Sequence, residues 1–133
     1  MALNKTLYHA QAQLKKALCN TDWTHVATVY LALYADSAFA TEISGGSYAR
    51  TPISFAAPTG SEDFALNDAA CTFPAPTADW NSGNPIGYAR VMDASSGGNA
   101  LYQGALSTAV TIQNGGTPLD LPIGSVRIEE TVA

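Results

Sequence analysis

Apolar side chains recur at two different periods along this chain, and the change from one to the other divides it. Between residues 3 and 18 the spacing is three and four: Leu3, Leu7, Ala10, Leu14 and Ala17 or Leu18, with Lys5, His9, Gln13 and Lys16 elsewhere on the wheel. That spacing predicts an amphipathic helix. Asn4 or Thr6 is placed to cap its start, and Asn20, Thr21 and Asp22 to end it. A helix this short is marginal alone in water, so its apolar stripe is expected to dock, on its own domain or on a neighbouring subunit.

From residue 26 the period becomes two. Strands are predicted over 26–34, 48–55, 64–73, 86–92, 100–106, 109–113 and 126–130, with a weaker one over 119–121. The breaks between them carry turn chemistry, among them Ser44-Gly45-Gly46-Ser47, Pro58-Thr59-Gly60, Asn81-Ser82-Gly83-Asn84 and Asn114-Gly115-Gly116. The expected fold is all-β: an antiparallel β-sandwich or jelly roll of seven to eight short strands, preceded by one N-terminal amphipathic helix. Residues 1–22 would hold the helix and residues 23–133 the sandwich.

Composition sharpens that division. The 133 residues suit one domain, and charged residues are only 13%, about half the usual quarter. Apolar residues reach 47%, but 23 of them are alanines, so the core is thin. The net charge of −5 averages two unlike parts. Residues 1–20 hold Lys5, Lys15 and Lys16 with no carboxylate, while residues 21–133 set Arg50, Arg90 and Arg127 against all eleven carboxylates. An acidic total argues against nucleic-acid binding, and the hydrophobicity argues against disorder. No apolar run is long enough for a membrane span, and no signal-peptide pattern precedes residue 20.

Candidate chemistry is sparse. Cys19 and Cys71 lack a C-x-x-C spacing and read as free thiols rather than a zinc site or a disulfide. His9 and His25 have no metal-ligand partners in sequence and read as surface or hydrogen-bonded structural residues. Glu62-Asp63 lies in a turn, and Glu129-Glu130 points to opposite faces of a strand. No G-x-S-x-G, P-loop or G-x-G-x-x-G motif is present, so neither an enzyme nor a cofactor is expected. Aromatic residues remain, and Trp80 and Tyr102 are the candidates for surface recognition, as in a carbohydrate-binding module.

Four ordered stretches resemble a family of small tailed-bacteriophage proteins, usually called tail fibre or virion structural proteins. Residues 42–50 match its "EISGGSYAR" turn, and residues 28–34 its "TVYLALY" strand. Residues 73–80 are similar to its "FPAATADW" segment and residues 97–106 to its "GGNLLWYGAL" segment. Pro76 stands where the family has Ala, and Tyr102-Gln103 replaces a more apolar pair before Gly104. The resemblance implies a non-enzymatic virion subunit, assembled in the host bacterial cytoplasm. It would be tail fibre-like or particle-decorating, with a capsid cement protein as the alternative. Its partners would be other phage structural proteins, copies of itself and, in a receptor-binding role, a host surface glycan. A thin core that gains by burying surface against copies of itself points to a homo-oligomer, a trimer first. The helix is then the anchoring or intersubunit element, with Leu7, Leu14 and Leu18 as apolar contacts and Lys5, Lys15 and Lys16 facing an acidic surface.

Overall fold

A computed structural model describes residues 1–130 of the chain. The elements run β1 (Ala2–Lys5), α1 (Leu7–Leu18), β2 (Val29–Tyr34), β3 (Thr51–Ile53), β4 (Phe64–Leu66), β5 (Cys71–Thr72), β6 (Ile86–Met92), β7 (Ala100–Val110), β8 (Asp120–Leu121) and β9 (Arg127–Glu129). A tight turn at Trp80–Gly83 separates β5 from β6. Seven strands form one sheet in the order β3-β2-β6-β7-β1-β9-β4, and β5 pairs with β8 as a two-stranded ribbon.

The described residues are thus mostly β with one short helix, as the two periods predict. The wholly antiparallel sandwich is not what they form. One mixed sheet carries most of the pairing, and β1 lies inside it, antiparallel to β7 and parallel to β9. The segment expected as a helical appendage therefore begins as an interior strand. Leu3 fits a helical stripe by its spacing to Leu7, but in β1 it is wholly buried. Gly104 makes room for it: a Cβ there would stand 2.5 Å from the Ala2 carbonyl oxygen. The helix starts only at Leu7, with Thr6 as its cap. Thr6 Oγ1 accepts from the His9 amide at 3.3 Å and donates to the Ala100 carbonyl at 2.6 Å, which ties the helix start to β7.

Other boundaries moved for local reasons. The strand expected over 64–73 is split at Asn67, whose buried amide bonds Ala69 O, Pro122 O and the Val126 amide, each within 2.9 Å. The strands expected over 100–106 and 109–113 merge into β7, because no Gly or Pro interrupts residues 105–110.

The core lies on one face of the sheet. Leu31, Leu33, Ala89, Val91, Leu3 and Ile128 point into it, and Phe73, Trp80, Ile112 and Val126 cover them. A smaller cluster of Ala32, Tyr34 and Met92, with Phe39 and Tyr88 against it, occupies the other face of β2 and β6. Both faces of β2 are covered, so its sequence is continuously apolar rather than alternating.

Two of the family-like stretches meet in this core. The Trp80 indole N–H donates to the Gly46 carbonyl at 2.8 Å, and the Asn81 amide donates to Ser44 O at 2.8 Å. A Cβ on Gly46 would stand 2.6 Å from the Ala78 amide nitrogen, so only glycine lets the turn lie this close. Glu42 closes the same turn: Arg50 grips its carboxylate through Nε at 2.8 Å and Nη2 at 2.7 Å.

Candidate functional site

Helix α1 rests on the body by the side that the sequence pattern makes polar. Its deepest residue is His9, which packs edge-on against Trp23 at 5.0 Å and tilted against Tyr102 at 4.9 Å between ring centroids. The imidazole is buried, and neither ring nitrogen has a hydrogen-bond partner among the described residues. This differs from the surface or hydrogen-bonded histidine expected. Burial first, and then the Lys5 charge, hold His9 below its ordinary pKa, while Glu130 pulls the other way. His25, by contrast, is exposed.

The stripe expected to dock faces away. Leu7, Leu14 and Leu18 are 74%, 57% and 77% exposed. The Thr6 cap and the His9 contacts fix the rotation of the helix, and they leave the leucines on the opposite side. Of the three lysines assigned to the helix, Lys5 belongs to β1. It pairs with Glu130 and donates to Gln13 Oε1 at 2.6 Å within its own chain. Lys15 is exposed beside the leucines, and Lys16 Nζ lies 3.4 Å from Trp23 O on the inner flank.

Next to the helix is a groove of about 560 Å³. Phe64, Ala65, Tyr102 and Ile128 line it with apolar surface, and Glu62, Asp63 and Glu130 bring carboxylates. Antiparallel pairing of β4 with β9 sets Ala65 opposite Ile128. The loop before β4 is held at the edge because the Glu130 amide donates to Asp63 O at 3.0 Å and the Thr59 amide to Glu62 Oε2 at 2.9 Å. Tyr102 is shared by groove and helix: one part of its ring meets His9, and its hydroxyl donates to Glu130 Oε1 at 3.0 Å. Burial, reinforced by that carboxylate, pushes the phenol pKa well up.

Trp80, the other residue singled out for recognition, is fully buried in the core and offers no surface. Of the departures from the family pattern, the Tyr102-Gln103 pair is satisfied locally, since Tyr102 bonds Glu130 and Gln103 Oε1 accepts from Arg90 Nε at 3.0 Å. Cys19 is exposed, Cys71 is buried, and both are free. Among the described residues no three His, Cys, Asp or Glu side chains gather as a metal site, and no helix is long and apolar enough to cross a membrane. The groove was not foreseen, because Tyr102, Glu62-Asp63 and Glu130 drew notice separately and nothing in the sequence says that the segment before β4, Tyr102 and the end of β9 meet.

No curated protein matches the chain. The sequence model of one family, described as podophage GP4 fiber I protein gp80, matches residues 4–129 and so spans almost the whole chain. The chain belongs to that Gp80 family of bacteriophage fibre proteins, and is a phage structural protein of the tail fibre type.

Proposed function

We propose that this protein is a non-enzymatic fibre subunit of the phage particle that assembles with copies of itself, a trimer favoured, through the outer face of α1. The supporting observation is the exposure of Leu7, Leu14 and Leu18 on a helix whose other side is already docked. Such a row of large apolar side chains is costly to leave in water. Burying each is worth roughly 1.5–3 kcal/mol, enough in a symmetric ring to hold subunits together once each contact is repeated. Fibre proteins act on the virion surface, so the same face also suits attachment to other structural proteins of the particle. A carbohydrate-binding role loses support, because Trp80 is buried and the Tyr102 ring is occupied by His9. A capsid cement role would use the same self-association, but the fibre family favours the tail.

Light scattering on the purified full chain tests this. Oligomers are expected at micromolar concentration, and Leu14→Asp with Leu18→Asp should give monomers of unchanged melting temperature. A wild-type monomer under those conditions overturns the proposal.

A further inference from the structure

We infer that the acidic groove beside β4 and β9 is the seat for the leucine face of α1 from a second copy of this chain. The inference rests on the self-association proposed above and names the surface that receives it. Among the described residues two surfaces of one molecule have complementary character. One is a helix bearing Leu7, Leu14 and Leu18 outward, with Lys15 and Lys16 in its last turn and no carboxylate anywhere along it. The other is a cleft of about 560 Å³ with an apolar lining and the acidic residues Glu62 and Asp63 at its rim, Glu130 being already paired with Lys5. Its volume lies within the range of clefts that bind ligands.

Charge and geometry decide which copy-to-copy contact forms. Packing the leucine faces of two parallel helices together would bring Lys15 toward Lys15 with no acidic residue on either helix to pair it, and an antiparallel pair would leave both lysines without a carboxylate. Docking on the groove instead brings Lys15 to the Glu62 and Asp63 rim. A chain cannot fill its own groove in this way. His9 pins the inner side of α1 to Tyr102, a residue that also lines the groove, so the leucines point outward as long as that contact stands. The groove is thus filled by a neighbour, in a head-to-tail contact that closes into a ring when the rotation between copies permits.

Cys19, exposed at the end of α1, supplies a native probe. Ser61→Cys and Asp63→Cys each place a partner thiol at the groove, while Cys71 stays buried. Under mild oxidation each full-length variant is expected to form intersubunit disulfides from Cys19, seen as a ladder on non-reducing gels and abolished by Cys19→Ser. Lys15→Glu should weaken association about tenfold, and adding Asp63→Lys should restore most of it. An oligomer that instead links Cys19 to Cys19, or links neither groove thiol, overturns the groove assignment while leaving self-association standing. A protein that is monomeric by light scattering overturns both.

Discussion

The imidazole of His9 is held by two aromatic rings and, among the described residues, by no hydrogen bond, so its charge state bears directly on how α1 sits. The charged groups that face it are Lys5 from β1 and Glu130 after β9. Its pKa is lowered in the folded chain, mainly by burial, so the unfolded chain takes up the proton first. Stability from this residue is therefore complete above about pH 6.5 and is lost as the pH falls through that value toward the lowered folded pKa. Asp36 and Glu42, whose pKa values are also lowered, act in a separate and more acidic window. Asp36 is held down first by the Ala40 amide. For Glu42 burial works against the Arg50 and Tyr48 hydrogen bonds that win. Melting temperature should thus fall between pH 7.5 and 5, and His9→Phe should flatten that slope. A variant with the wild-type slope would place the dependence elsewhere. Trp80 carries a different lesson at this scale. Its sequence neighbourhood marks it as special, but what it does is lock two turns together inside the core, not meet a ligand.

At the scale of the element, β1 is where sequence and structure part. Four residues, Ala2–Lys5, bridge β7 and β9 and supply backbone partners to both. Leu3→Ala should therefore cost about 2–5 kcal/mol, as for a fully buried leucine. Chemical denaturation measures this, and a loss below 1 kcal/mol would mean the strand is dispensable. Removing residues 1–19 should give an unfolded product rather than a free β domain. The run of apolar residues in β2 and the turn glycines were legible in sequence because they depend on neighbours close along the chain. The start of α1 was not, since Leu3 and Leu7 satisfy a helical spacing whichever structure holds Leu3. Sheet order was also illegible. Nothing local to residues 2–4 announces that residues 127–129 will lie beside them in parallel. Leu7, Leu14 and Leu18 fall on one side of α1, as helical spacing requires, but their outward direction follows from Thr6 and His9, which the stripe does not encode.

For the whole molecule, long-range pairing dominates. β1 with β9, β4 with β9 and β5 with β8 all join segments far apart in sequence, so loop closure comes before most of the energetic return. Refolding should accordingly take milliseconds to seconds, and a microsecond phase accounting for the full amplitude in stopped-flow fluorescence would contradict this topology. The parallel pairing of β1 with β9 also orders events during synthesis. Until residues 127–130 emerge from the ribosome, β1 has only β7 beside it, and Lys5 and Tyr102 lack the carboxylate of Glu130. The seat that fixes the rotation of α1 is therefore incomplete in a nascent chain. A truncated product would lack the strand that frames the groove as well as the groove's own Ile128 and Glu130. If the groove receives a neighbouring copy as proposed, emergence of residues 127–130 acts as a checkpoint, since a chain without them has no groove to offer.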